Sequence, residues 1–141
     1  MKNSQGFTLI ELMIVVVILS ILAAISIPNF IKMQERAKEA KVKGAAHTLQ
    51  LAAEDFAVRN GGIYSDAAGD VGPLLPSDPA GGNNLENPFT RAYTEPVWAG
   101  SAATPGQIGI VAVQDATGTN VGYLINGWGQ QNEVAHLSSG Q

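Results

Sequence analysis

The chain has 141 residues, no cysteine, 45% hydrophobic and only 14% charged residues, and a net charge of -4; this length suits one domain of ordinary size. Without cysteine there is no disulfide framework, no thiol nucleophile and no cysteine-ligated metal. His47 and His136 are too far apart in sequence to form a metal-ligand spacing. The charge deficit is local. Residues 12–31 carry no charged side chain, residues 32–43 hold five basic and two acidic ones for +3, and from Gly44 onward two basic against nine acidic residues give -7. An acidic body disfavours duplex nucleic acid, which requires clustered Lys and Arg. What remains is a membrane-associated chain with a small acidic body.

The first element is apolar. After Met1-Lys2-Asn3-Ser4-Gln5-Gly6 the sequence turns hydrophobic at Phe7, and Leu12–Ile27 is interrupted only by Ser20 and Ser26. The uncharged run of 20 residues spans about 30 Å as a helix, close to the hydrocarbon thickness of a bilayer. A cleaved secretory signal is the simpler alternative, with Ala23, Ala24 and Ser26 as small residues before a cut. Secretory apolar regions are only about 7–15 residues long, however. Glu11 also interrupts the stretch from Phe7, at a cost of roughly 2.5–3.5 kcal/mol at mid-membrane and less near the surface. An ordinary anchor with Glu11 at the interface leaves the sharp Gly6-Phe7 boundary unexplained. A carboxylate inside a membrane segment is a functional candidate by default.

These residues carry a resemblance. Gly6-Phe7-Thr8-Leu9-Ile10-Glu11, the short leader before them and the apolar run behind them resemble the class III signal of type IV pilins and type II secretion pseudopilins. In that family a membrane-embedded prepilin peptidase cuts after the glycine and methylates the new amine. The resemblance therefore implies cleavage between Gly6 and Phe7, N-methylation of Phe7, a register-setting role for Glu11 and a helix bend at Pro28. In a filament the Glu11 carboxylate would neutralise the Phe7 amine of a neighbouring subunit, because an unpaired charge in an apolar core is costly and a paired one is tolerated. The positive-inside rule, comparing Lys2 with Lys32, Arg36, Lys38, Lys41 and Lys43, would alone keep the C-terminal body in the cytoplasm. The resemblance implies the opposite topology, with an inner-membrane precursor, its body outside the cytoplasm, and a cell-surface pilus after assembly. The reading follows the resemblance, since Glu35 and Glu39 are interleaved with the basic residues.

The helical pattern continues beyond Pro28. Val42, Ala45, Leu49, Ala52 and Phe56 recur at spacings of 3 and 4, which places them on one face. Glu39 and Lys43 stand in the favourable i,i+4 orientation, and Asn60-Gly61-Gly62 is a stop signal. One helix is expected over about residues 7–59, bent or loosened near Ser26–Pro28 because proline lacks an N–H and clashes with the preceding turn. The stripe reads as core packed on later strands, with a subunit contact as the alternative. His47 falls off it. The basic cluster at 32–43 reads as a solvated or headgroup-facing stretch, with contact to acidic neighbours as a second use.

Residues 60–106 hold eight of the sixteen glycines and six of the seven prolines, which is loop chemistry. Tyr64, Leu74, Leu75, Leu85, Phe89, Tyr93 and Trp98 give this segment apolar anchors. Gln107–Val113 and Val121–Asn126 flank a turn-rich stretch and read as a hairpin, with a weaker third strand at Glu133–Leu137. One long N-terminal helix packed on a small antiparallel sheet is the α+β pilin-like fold that the resemblance implies. It divides the chain into a leader at 1–6, a transmembrane and filament-core half-helix at 7–31, and a globular domain at 32–141 that includes the amphipathic half of the helix. Asn87-Pro88-Phe89-Thr90, Pro105–Gly109 and Tyr123–Gly129 are looser matches to cysteine-free pilins.

Enzyme chemistry is not expected, since no nucleophile–base pair, phosphate loop or paired-carboxylate motif stands out and Glu54-Asp55 reads as a solvated face. No cofactor is expected. Structural calcium is the alternative, because Asp66, Asp70, Asp78, Asn83, Asn84 and Glu86 supply oxygen ligands and major pseudopilins carry calcium near their C-terminal loops, although the spacing matches no EF-hand. The expected function is a structural subunit of a type IV pilus, with a type II secretion pseudopilin as the alternative. Its expected partners are identical subunits, prepilin peptidase, the assembly platform and ATPase, and inner-membrane lipid. The loop region lacks the pseudopilin-style Asp-Pro-Trp-Gly string, which favours the pilin. A DNA-receptor pilin would need basic residues on the body, where only Arg59 and Arg91 are available.

Overall fold

The computed structural model describes residues 6–139. Of the expected leader, only Gly6 lies among them. The first element, α1, runs from Leu9 to Arg59. The chain divides into two compact units, Met1–Glu35 and Arg36–Gln141.

The first unit is helical from Leu9, two residues later than periodicity predicts, because Thr8 caps it. Val15-Val16-Val17-Ile18 is a β-branched run with modest helix propensity in water. In hydrocarbon that preference is overridden, since every backbone group must bond within its own segment. The polar side chains along this stretch obey the same demand. Ser20 Oγ donates to the Val16 carbonyl at 2.7 Å, and Asn29 Nδ2 donates to the Ile25 carbonyl at 3.2 Å. Pro28 lies in the helix interior and the helix continues past it.

In the second unit the helix continues to Arg59. Asn60 donates back to the Phe56 and Ala57 carbonyls, and the Gly62 N–H reaches the Ala57 carbonyl at 2.8 Å, so the expected stop signal ends the helix. The buried face is Val42, Ala46, Leu49, Ala52, Ala53 and Ala57, with Ala45 and Phe56 half-buried beside it. The observed seam thus lies one position round from the expected stripe. Alanine at 46 and 53 lets the helix approach the sheet closely, and Gly127 completes the fit: a Cβ there would lie 2.8 Å from Val42 Cγ1.

The sheet has four strands in the order β3-β4-β5-β6, formed by Val97–Trp98, Ile108–Gln114, Asn120–Trp128 and Glu133–Ser138. The expected hairpin is β4–β5, and the weaker third strand is β6, both antiparallel. Strand β3 departs from the all-antiparallel expectation. It pairs parallel to β4, Val97 with Gly109 and Trp98 with Ile110, because residues 99–107 carry the chain back to the same end instead of turning it in a hairpin. Ile108 and Ile110 of β4 and Tyr123 and Ile125 of β5 join the helix seam, Val71 and Leu75 in one core.

The glycine-rich segment is ordered by side-chain anchors. It contains α2 (Ala68–Val71), a 3-10 turn at Gly72–Leu74, and the two-residue antiparallel pair β1 (Leu85–Glu86) and β2 (Tyr93–Thr94). Asn87 is buried between β1 and β2. Its Oδ1 accepts the N–H groups of Phe89 and Thr90, while its Nδ2 donates to the Pro105 carbonyl at 2.9 Å. Asn126 bonds both backbone groups of Ala102, at 2.9 and 3.2 Å. That bridge passes over Gly109, where a Cβ would clash with the Ala102 nitrogen.

Candidate assembly site

Thr8 and Glu11 meet at the start of α1, with Phe7 just before them. Thr8 occupies the N-cap position. Its Oγ1 accepts the Glu11 N–H at 3.2 Å, while Glu11 Oε2 accepts both the Thr8 N–H and the Thr8 hydroxyl at 2.8 Å. This is a reciprocal capping box, Thr-x-x-Glu, which satisfies amide groups left open at a helix start. The sequence carried that signal beside the glutamate, and reading Glu11 only as a partner for an amine overlooked it. Within one chain the carboxylate is therefore held by Thr8. Gly6 and Phe7 precede the helix, Phe7 is 77% exposed, and among the described residues nothing lies within 4 Å of where a Gly6 side chain would start. The Gly6–Phe7 bond stands clear of regular structure.

Behind the cap, every residue from Gly6 to Glu35 is exposed. The helix is long and apolar enough to cross a membrane, and none of its most apolar window is buried within the chain. Ile10, Met13, Ile14, Val17 and Ile18 line a shallow all-apolar groove along it, at the i, i+3, i+4 spacing of a helix-packing ridge.

The other sequence candidates lie in the second unit, where some hold helix and sheet together and others face solvent. Glu54 and Asp55 are not an acid–base pair. Glu54 accepts the Tyr123 hydroxyl at 2.7 Å and the Tyr64 hydroxyl at 3.0 Å, and Gln50 donates to the Tyr123 oxygen at 3.0 Å. The two rings meet edge to face at 5.2 Å. Burial, and then the bond to Glu54, push the Tyr123 hydroxyl up to about 12. Tyr64 is raised for the same reasons. Asp55 binds Arg59 in two bonds of 2.8 and 3.0 Å on the surface. The expected Glu39–Lys43 pair is not among the ion pairs of the described residues. His47 faces solvent beside Gln50, and His136 pairs with Glu133.

Five of the six calcium candidates are engaged in hydrogen bonds within the body. Asp66 accepts the Ala112 N–H on β4, and Asp70 accepts the Ser65 hydroxyl. Asp78 takes the N–H groups of Ala80 and Gly82 on one oxygen and Asn84 Nδ2 on the other. The Asn84 bond, joined by those backbone donors, holds its carboxyl below the usual range. Asn83 donates to the Leu75 carbonyl. Among the described residues no three His, Cys, Asp or Glu side chains gather closely enough to hold a metal ion.

Fold and site define a class: a capped, membrane-length helix with an uncovered apolar surface at the N-terminus, and an α+β unit in which Glu54, Asp66, Asp70 and Asp78 bond within the unit. Comparisons with known proteins agree. The model of the prokaryotic N-terminal methylation motif matches residues 1–27. The type IV major pilin protein PilA of Myxococcus xanthus is 51% identical over 70 residues, covering 50% of this chain and 31% of the relative. The type IV wide pilus major component PilA4 of Thermus thermophilus is 38% identical over 80 residues, 57% of this chain and 61% of the relative. The type II secretion system core protein G of Klebsiella pneumoniae is 30% identical over 118 residues, 80% of this chain and 84% of the relative. No solved structure matches. The chain belongs to the type IV pilin and type II secretion pseudopilin family. It spans only 31% and 61% of the two pilins.

Proposed function

We propose that this chain is a structural subunit of a type IV pilus. Prepilin peptidase cuts between Gly6 and Phe7 and methylates the Phe7 amine. The mature subunit waits in the inner membrane with its body outside the cytoplasm, and an assembly platform driven by an ATPase moves it into a helical surface filament of identical copies. The observation that carries this reading is the apolar half of α1, which covers none of its surface within the chain. Lipid covers that surface before assembly and neighbouring subunits cover it afterwards.

Glu11 sets the register in this scheme. Its carboxylate exchanges the Thr8 donors, or shares them, for the Phe7 amine of a neighbour. A subunit out of register leaves two charges unmatched in an apolar core, where one-sided loss of a buried pair costs about 3–5 kcal/mol. Pro28 loosens the helix where the filament core meets the body, since it offers no N–H to the turn before it. Structural work without turnover and without calcium is part of the same proposal, supported by the commitment of Glu54, Asp66 and Asp78 to internal bonds. An unchanged melting temperature on chelation is the expected result.

A type II secretion pseudopilin is the second reading, favoured by the alignment to protein G over 80% of this chain. The higher identities to the pilins support the first. Deleting the gene and imaging the cells separates them. Loss of surface filaments with secretion intact supports the pilin, and loss of secretion with filaments intact supports the pseudopilin.

A further inference from the structure

The second unit carries a cavity that the assembly site does not use. Its volume is about 270 Å³, and its wall includes Gly72, Pro73, Asn83, Asn84, Glu95 and Trp98. Asn83 spends a donor on the Leu75 carbonyl at 2.7 Å and Asn84 spends one on Asp78 at 2.8 Å. Their side-chain oxygens accept no hydrogen bond among the described residues. Glu95 is exposed and stands in neither of the ion pairs of those residues. Trp98 gives the cavity an aromatic wall, and its indole N–H is buried without a hydrogen-bond partner among the described residues. A carboxylate, two amide oxygens and an aromatic wall attract a cation bearing N–H groups.

The same unit exposes such cations. Arg36, Lys41 and Lys43 are exposed on α1. The ion pairs among the described residues are Asp55–Arg59 and Glu133–His136, and neither involves them. Lys38 is occupied elsewhere, its ammonium 5.5 Å from the centre of the Phe89 ring. At 3.6 residues per turn Arg36 and Lys43 point about 70–90° away from the buried line through Ala46 and Ala53, and all three side chains are exposed.

We propose that the cavity receives Arg36, Lys41 or Lys43 of a second copy of this chain. The proposal rests on the filament reading and names a contact between its subunits. Cavity and basic stretch are different surfaces, so each copy gives a cation to one neighbour and takes one from another. Such a heterologous contact propagates along an open filament and does not close into a dimer. The excess of negative charge beyond Gly44 and of positive charge at 32–43 brings opposite signs together at it.

The absence of native cysteine makes the test direct. Glu95→Cys is combined in turn with Arg36→Cys, Lys41→Cys and Lys43→Cys in the full chain, and sheared filaments are treated with a bismaleimide whose span matches the two long side chains replaced, since a direct disulfide reaches less far than the ion pair. At least one pair is expected to give a ladder of linked chains that Glu95→Cys alone does not give. Filaments without a ladder from all three pairs overturn the contact and leave the filament reading standing. Absence of filaments from the unaltered chain overturns the filament reading itself. Should the paired cysteines block assembly, charge exchange decides: Glu95→Lys is expected to lower surface filament yield about tenfold, the scale of a lost interface charge pair. Adding Arg36→Glu, Lys41→Glu or Lys43→Glu should then restore it in one case. An unchanged yield from Glu95→Lys, or no recovery with any of the three, overturns the contact.

Discussion

The two halves of α1 share one secondary structure and differ in what surrounds them. From Leu12 to Ile31 every side chain is exposed and none is charged, whereas from Val42 to Ala57 a narrow line of small and branched residues is buried against the sheet. A helix apolar all round belongs to a membrane or to an assembly core, and an amphipathic one belongs to a single domain's surface. The sequence thus assigns each half its solvent. The first half stays uncovered within the chain, and the second is covered by the chain itself.

The largest effect expected on the first half comes from Glu11→Ala. Processing should proceed, since Gly6 and Phe7 are untouched, but surface filaments should be lost; normal filaments would remove the register role. Gly6→Val should block cleavage, and a mature N-terminus at Phe7 in that variant would contradict the assigned cut. On the second half, Leu49→Ala should lower the unfolding free energy of the full chain in detergent by about 2–5 kcal/mol through lost burial and a cavity. Leu19→Ala, at a site that is 58% exposed, should change body stability by less than about 0.5 kcal/mol. Equal effects at the two leucines would erase the contrast between the halves.

A smaller effect tests the polar clamp between helix and sheet. Tyr123→Phe should cost roughly 1–3 kcal/mol, because Glu54 and Gln50 lose a buried partner. The clamp also has a pH signature. The Tyr123 hydroxyl is raised from its ordinary 10.0 to about 12 in the folded chain, so the unfolded chain loses this proton first. Its contribution is complete below pH 10 and is lost as pH rises towards 12. Tyr123→Phe should flatten alkaline unfolding over that interval, and an unchanged alkaline profile would contradict the clamp. Among the polar contacts of the body, the smaller effect is expected from Asp55→Asn. Its pair with Arg59 is solvent-exposed, so the melting experiment should register less than about 1 kcal/mol.

The parts legible in the sequence are those governed by local pattern. The long helix, its stop at Asn60-Gly61-Gly62 and the β4–β5 hairpin all follow from periodicity and turn residues. The capping box was equally legible, since Thr8 and Glu11 stand at the required spacing. The missed elements are set by distant partners. Nothing near Val97-Trp98 announces pairing with Gly109-Ile110, and nothing near Asp66 announces that its carboxylate will hold the Ala112 N–H on β4. The seam's displacement to Ala46 and Ala53 has a similar origin. Hydrophobic spacing identifies a face, but how closely that face can approach the sheet depends on Gly127 far along the chain.

The claim that joins these regions is that the apolar half of α1 trades lipid for neighbouring copies. Photo-crosslinking from Val17 tests it most directly, since that side chain is 57% exposed within the chain and lines the apolar groove. With benzoylphenylalanine in place of Val17, irradiated membrane fractions should yield a single-chain species carrying lipid. Irradiated surface filaments should yield chain-to-chain adducts. Filaments that contain the chain and give no such adducts would contradict the account.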